Sequence, residues 1–179
     1  MRGLIALALV AVLAACASMP ARPPAVGMPP LQLSPSSLGG TLALQQRLVF
    51  RHGERSDTVD ALVEADPGSV RVVLHQQGQV MLRMRWDGHE LQQTRAPQLP
   101  EALSAQRVLD DLQLVHWPAD AIRAALAPGW QLQDAAAERR LLLHGQTVAT
   151  VRWSGRRNAL LENHAEGYRL DISSVPARP

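Results

Sequence analysis

The sequence has no lysine and a single cysteine, Cys16, among its 179 residues. With one cysteine the chain can form neither an intramolecular disulfide nor a zinc site built on several thiolates. All 18 basic residues are arginine, against 16 acidic residues, and no run of five like charges occurs. A nucleic-acid groove needs a concentrated basic stripe, so we expect no nucleic-acid partner.

Motifs of catalysis are missing too. The chain contains no Gly-x-Ser-x-Gly nucleophile elbow, no His-Glu-x-x-His motif and no phosphate-binding glycine loop. The six histidines include no pair at helix-face spacing, so we predict neither a metal nor a cofactor. We expect a protein that is not an enzyme; the alternative of a hydrolase acting on acyl groups has no nucleophile motif behind it.

Aromatic residues are few, with one Phe, one Tyr and four Trp. The core is therefore expected to consist mainly of Leu, Val, Met and Ala, with tryptophans filling the seam between sheet and helices. Such a lining suits flexible acyl chains, but it is also the ordinary composition of a core. Composition alone therefore does not predict a cavity.

The N-terminus has the pattern of a secretion signal. Arg2 precedes ten apolar residues at 4–13, fewer than the roughly 20 that a membrane-spanning helix needs. Leu13-Ala14-Ala15-Cys16 resembles the lipobox of bacterial lipoproteins. That resemblance implies a lipoprotein signal peptide at residues 1–15, cleaved before Cys16, whose sulfur carries diacylglycerol and whose amine is acylated, typically with palmitate. The alternative is an ordinary secretory peptide that happens to contain a cysteine.

The residue after the cysteine is Ala17 and not Asp, which in Gram-negative lipoproteins implies the periplasmic face of the outer membrane. Residues 16–40, rich in Pro, Ser and Gly, are predicted to be the lipidated cysteine followed by a semi-extended tether. At about 3.1 Å per residue, residues 17–40 would hold a domain up to roughly 75 Å from the lipid.

From residue 41 onward, apolar and polar residues alternate with period two, which predicts strands. Five strands fall before residue 95, joined by turns such as Asp66-Pro67-Gly68 and Asp87-Gly88. Four more fall between residues 140 and 172. Short strands at this spacing predict an antiparallel meander of about nine strands.

Between the two groups of strands the period changes to that of a helix. Ala105, Val108, Leu109, Leu112 and Val115 form one apolar stripe, and a second short helix is expected from Pro118 to Leu126. The opposite face of the first helix, including Asp110 and Asp111, is expected to be solvated. The fold class is thus α+β: a curved antiparallel sheet with a two-helix insert on its concave face, formed by residues 41–175 and followed by a C-terminal tail at 176–179.

One string is more specific than the rest. Residues 111–118, Asp-Leu-Gln-Leu-Val-His-Trp-Pro, followed by Pro128-Gly129-Trp130, are similar to a family of small proteobacterial lipoproteins of unknown function. The resemblance extends over residues 41–175 through Arg140-Leu141, Trp153, Asn163 and Gly167-Tyr168-Arg169-Leu170. The resemblance implies that the gene for this protein lies beside genes for aryl polyene or xanthomonadin-type pigments. It also implies a distant likeness to the outer-membrane lipoprotein receptor LolB and carrier LolA, half-barrels with helices in the mouth that hold acyl chains.

Two functions follow as expectations. The first is a non-enzymatic, outer-membrane-anchored lipoprotein that binds or transfers an acyl or aryl-polyene lipid. The second is a tethered interaction module, without a ligand cavity, that docks a membrane exporter or a biosynthetic enzyme. Expected partners are the membrane through the N-terminal lipid, a hydrophobic ligand, and an exporter or lipoprotein-sorting components; the protein is expected to be a monomer. The residues predicted to line a ligand cavity are Leu48, Phe50, Val72, Leu74, Leu82, Met84, Trp86, Val108, Leu109, Leu112, Val115 and Ile122.

Overall fold

The structure, a computed structural model, describes residues 27–99 and 103–177. The predicted signal peptide, Cys16 and the first part of the tether lie outside the described residues. The strands are β1 (Leu42–His52), β2 (Arg55–Asp66), β3 (Ser69–Gln76), β4 (Gln79–Trp86), β5 (Leu91–Arg95), β6 (Trp130–Asp134), β7 (Glu138–Leu143), β8 (Gln146–Ser154), β9 (Asn158–Asn163) and β10 (Tyr168–Pro176). The helices are α1 (Ala105–His116), α2 (Ala119–Ala125) and a 3₁₀ turn at Pro35–Leu38.

All ten strands belong to one antiparallel sheet in the order β5-β4-β3-β2-β1-β10-β9-β8-β7-β6. Each half is a meander, and the two halves join where β1 pairs with β10 along nine residue pairs, from Leu44–Pro176 to His52–Tyr168. The edge strands β5 and β6 do not pair with each other, so the sheet is open. The predicted antiparallel sheet with two helices is confirmed at this level.

The predicted count of nine strands is wrong by one. The strand missed is β6, which has five residues and buries only Leu132. Its alternation, Trp130-Gln131-Leu132-Gln133, is only four residues long, and Pro128-Gly129 just before it is the pattern that ends the helical insert. The predicted tail also starts one residue early, because Pro176 belongs to β10 and the Ala177 amide donates to the Ala43 carbonyl.

Helix α1 begins at Ser104, whose hydroxyl accepts a hydrogen bond from the Arg107 amide, and it ends at Trp117, just before Pro118. It contacts both the edge strand β5 and strand β9 in the other half of the sheet. In a flat sheet these strands would lie about 29 Å apart, at roughly 4.8 Å per strand. A helix about 10 Å across reaches both only because the sheet curves around it.

The N-terminal segment corrects the tether prediction. Residues 27–38, here called the N-terminal strap, bury Met28, Leu31 and Leu33, each at most 6% exposed, in the hydrophobic core. Their proline-rich composition rules out a regular helix or strand, but it does not stop an extended chain from packing apolar side chains. The prediction of a free tether up to residue 40 is therefore wrong for the described residues 27–40.

Candidate functional site

A cavity lies between the concave face of the sheet and α1. The volume free of atoms, including the opening to solvent, is about 600 Å³. Only about 40 Å³ of this volume is wide enough for a water molecule to be centred there. The cavity is therefore narrow, with room for about three water molecules. It is lined by Gln46, Leu48, Phe50, Val59, Ala61, Val63, Val72, Leu74, Leu103, Arg107, Val108, Asp111, Leu112, Val115, His116, Leu170 and Ile172.

Alternation along four neighbouring strands produces the apolar wall. In β2, for example, Val59, Ala61 and Val63 point inward and are 2% exposed, while Asp60 and Leu62 point to the outer face. The corresponding positions of β1, β3 and β10 continue this wall. Helix α1 closes the cavity with residues at 107–108, 111–112 and 115–116, which recur about every four positions and so share one face.

The structure brings together seven of the twelve residues predicted to line a cavity. These are Leu48, Phe50, Val72, Leu74, Val108, Leu112 and Val115. The other five are buried in the core but do not line the cavity; they are Leu82, Met84, Trp86, Leu109 and Ile122. The physical reason is clearest at Trp86, whose indole donates a 2.8 Å hydrogen bond to the Leu33 carbonyl, so the strap occupies the space beneath it.

The polar lining residues were not predicted. Gln46 follows the inward alternation of Leu44 and Leu48, and Arg107 and Asp111 are four residues apart on α1. Both signals are present in the periodicity. The prediction of a solvated face of α1 is wrong for Arg107 and Asp111, because both line the cavity.

The outer face of α1 is covered by the strap and is not solvated as predicted. The Asp110 carboxylate accepts from the Leu31 amide at 2.9 Å. The Gln113 side chain makes two hydrogen bonds to the backbone of Leu33, accepting at 3.0 Å and donating at 2.9 Å. An extended segment has unpaired backbone groups, and these polar side chains satisfy them. Helix α1 is thus buried on both sides.

One end of the cavity is formed by a buried carboxyl group. The Tyr168 hydroxyl donates one bifurcated hydrogen bond to the Asp111 carboxyl, whose two oxygens lie 2.7 and 2.8 Å from it. Arg107, one turn earlier, pairs with Glu166. Burial raises the pKa of Asp111 to about 7, although the Tyr168 hydroxyl and the Arg107 guanidinium favour the ionised form. Burial likewise raises the pKa of Asp110 to about 6.

The other polar end lies near the C-terminus of α1. The side-chain amide of Gln46 lies 3.4 Å from His116 Nε2 and donates to the Ser174 hydroxyl at 3.0 Å. Burial and the nearby Arg139 charge lower the pKa of His116 to about 4, so the imidazole is neutral at pH 7. The cavity is thus an apolar space with a charged cluster at one end and a neutral polar pair at the other.

Arg139 of β7 holds the end of α1 in place. Its guanidinium donates to the carbonyls of Leu114 and Trp117, at 2.8 and 2.9 Å, and pairs with Asp134 at 2.6 Å. The last carbonyls of a helix have no partner within the helix, and a cation there also interacts favourably with the helix dipole. Helix α1, which closes the cavity, is therefore fixed to the second half of the sheet.

The buried carboxyls predict how stability depends on pH. In the unfolded chain Asp111 releases its proton near its ordinary pKa of 3.8, whereas the folded protein retains that proton up to about pH 7. Between these values the folded state binds more protons, so rising pH favours unfolding. Between pH 5 and pH 8 the free energy of unfolding of the wild type should therefore fall. We expect it to fall by about 2 kcal/mol less in Asp111→Asn, as measured by urea denaturation.

Asp120→Asn, at an exposed position of α2, is the control for that measurement, and it should keep the wild-type pH dependence. The expectation fails if Asp111→Asn and the wild type lose the same free energy of unfolding between pH 5 and pH 8.

In the described ranges 27–99 and 103–177, no three or more His, Cys, Asp or Glu side chains are grouped so that they could hold a metal ion. Across the same residues, no helix combines the length and apolar character needed to cross a membrane.

Comparison with known proteins gives one match. A family described as "Protein of unknown function (DUF3261)" matches residues 43–176, which is the whole sheet and both helices. No curated protein matches the chain.

Proposed function

This chain belongs to the DUF3261 family, and we propose that it is a non-enzymatic lipoprotein at the periplasmic face of the outer membrane that binds an acyl or aryl-polyene lipid. The ligand would lie in the cavity beneath α1. The observation that carries the proposal is this cavity, whose side walls from β1, β2, β3 and β10 are mostly aliphatic. Apolar cavities with a few polar groups at defined places are typical of ligand sites.

The narrowness of the cavity supports a thin ligand. Little of its space admits even a water molecule, so any long ligand enters only if α1 or the lining side chains move. An alkyl or polyene chain needs less movement than a bulky ring system, because it is thin along its whole length, and it leaves no hydrogen-bonding group unpaired among aliphatic side chains. The resemblance of the sequence to small lipoproteins found beside aryl polyene genes, and the distant likeness to LolA and LolB that this resemblance implies, favour the same class of ligand.

The place where the strap enters supports anchoring close to a membrane. The first described residue, Gly27, lies next to Glu166, since a Cβ on Gly27 would be 3.3 Å from the Glu166 carboxylate. Only residues 17–26 separate it from Cys16, so the two lie at most about 40 Å apart. A lipid on Cys16 would therefore keep Gly27, and with it the Arg107 end of the cavity, within that distance of the bilayer, where exporter or lipoprotein-sorting components are the expected partners.

The test of ligand binding compares two leucines of α1. Leu112 lines the cavity, so Leu112→Ala should cost only about 1 kcal/mol of stability and should change the affinity for a fluorescent fatty acid or polyene. Leu109 is fully buried away from the cavity, so Leu109→Ala should cost about 2 to 5 kcal/mol and leave that affinity unchanged. Denaturation midpoints and fluorescence titration measure the two effects.

Mass spectrometry of lipid co-purified with the protein would identify the natural ligand. No lipid in the preparation, no binding by the wild type and a large loss of stability in Leu112→Ala would together overturn the proposal.

The second candidate function is the interaction module that docks an exporter or biosynthetic enzyme. It is favoured by Leu62 and Val175, the two exposed large hydrophobic side chains of the described residues. Leu62 of β2 and Val175 of β10 are the residues opposite Gln45 on the two strands that flank β1. The two hydrophobic side chains therefore lie in line across three adjacent strands on the outer face of the sheet. Changing Leu62 to Glu would abolish function in cells under this alternative but leave ligand binding intact under the first.

A further inference from the structure

A polar cluster of five residues lies beside the charged end of the cavity: Arg107 and Asp111, which line the cavity itself, and Asn163, Glu166 and Tyr168 behind them. Arg107 pairs with Glu166, and the Glu166 amide donates to the Asn163 side-chain oxygen at 2.9 Å. Tyr168 donates to Asp111, which neighbours Arg107 along the cavity lining. Two pairs therefore join α1 to its neighbours: Arg107 contacts Glu166 in the turn before β10, and Asp111 contacts Tyr168 of β10. Asn163 of β9 holds that turn in place through its hydrogen bond from the Glu166 amide.

Two donors in this polar cluster have no acceptor. Arg107 Nη1 and Asn163 Nδ2 are both buried and make no hydrogen bond within the described residues. Asn163 is 1% exposed, and its orientation is determined because its oxygen already accepts from Glu166. A buried donor without a partner has lost its hydrogen bond to water and gained none in return. Because Arg107 lines the cavity, its free Nη1 indicates that an acceptor comes from outside the chain, through the cavity.

The surrounding charges determine which acceptor fits. The single guanidinium of Arg107 lies among three carboxyls, those of Glu166, Asp111 and Asp110. A ligand carboxylate would add a fourth negative charge to a buried site, where charges are poorly screened. A neutral carbonyl oxygen brings lone pairs for the free donors without that repulsion.

We infer that the polar cluster binds the ester carbonyl of an acyl or polyenyl chain whose hydrocarbon part lies in the cavity. This inference rests on the proposed function, since it names the polar end of the same ligand. It distinguishes an esterified chain from a free fatty acid.

The test uses the chain from residue 17, so that neither the signal peptide nor a lipid on Cys16 competes. The dye is a fluorescent linear polyene hydrocarbon, which has neither a ring nor a carbonyl and reports occupation of the cavity, and methyl dodecanoate and dodecanoate are titrated against it at pH 8. We expect methyl dodecanoate to bind at least tenfold more tightly than dodecanoate. Arg107→Lys, which keeps the charge but loses the forked donors, should weaken methyl dodecanoate about tenfold and change dye affinity less than twofold.

Arg123→Lys provides the matched control, because Arg123 lies on α2 outside the cavity lining, and it should change neither affinity. Arg107→Gln removes the free Nη1 donor together with the charge and should weaken methyl dodecanoate as well; it decides the matter if Arg107→Lys does not fold by circular dichroism. Unchanged ester affinity in the folded variants, or dodecanoate binding as tightly as the ester, overturns the inference while the cavity function stands. Absence of any dye or ligand binding by the wild type overturns the proposed function itself.

Discussion

A soluble form of the protein that begins at residue 39 should be largely unfolded, or should melt at least about 15 °C below the form that begins at residue 27. Removing the strap exposes Met28, Leu31 and Leu33, which are buried in the core. Each such side chain contributes about 1.5–3 kcal/mol, against a total of about 5–15 kcal/mol for a typical domain. The loss also leaves Asp110 and Gln113 without their backbone partners. Thermal unfolding followed by circular dichroism measures the difference.

The form that begins at residue 27 is the control, because it removes only residues outside the described part of the chain. It should unfold at the same temperature as the chain from residue 17. Equal melting temperatures for the forms that begin at residues 27 and 39 would show that the strap does not stabilise the domain, and would restore the tether interpretation.

Cys16→Ser should abolish acylation completely and leave the precursor uncleaved by the lipoprotein signal peptidase. The reason is chemical: a serine hydroxyl does not accept the diacylglycerol that the lipobox cysteine receives, and cleavage follows that transfer. Metabolic labelling with a palmitate analogue, followed by gel electrophoresis, measures the effect. The domain itself should fold normally, since Cys16 precedes every residue of the core.

Ala17→Asp is the companion variant. It should be labelled as strongly as the wild type but should fractionate with the inner membrane, because Asp at this position is a retention signal in Gram-negative lipoproteins. Undiminished labelling of Cys16→Ser would contradict the lipoprotein assignment. Wild-type protein already in the inner membrane would contradict only the outer-membrane assignment.

The strands and helix α1 could be read from the sequence because each leaves a periodic signal. In β2 and β3 the alternation of buried and exposed residues is nearly strict, so both the strands and their inward faces were predictable. Strand β6 has an alternation only four residues long, Trp130 to Gln133, and it follows a helix rather than a hairpin turn. Strand β5 has no fully buried residue, yet the Asp87-Gly88 turn before it marks its position. A short strand is therefore predictable only where a turn signal accompanies it.

The candidate site was predictable only in its apolar half. Leu48, Phe50, Val72 and Leu74 were recognised because inward apolar residues of adjacent strands must lie side by side. The partners of Asp110, Asp111 and Gln113 could not be recognised in this way. They are Leu31, Tyr168 and Leu33, which lie 57 to 80 residues away along the chain.

By itself, the sequence determined the elements that depend on neighbours within a few residues: the alternating strands, their turns, the apolar stripe of α1, and the lipobox pattern at Cys16. Only the tertiary structure decided that the strap belongs to the core and that the second face of α1 is buried. It also decided that Arg107, Asp111 and Tyr168 meet at one end of a narrow cavity. The physical reason is that a buried polar group is stable only beside a specific partner, and the curvature of the sheet, which brings distant segments together, is a property of the whole chain.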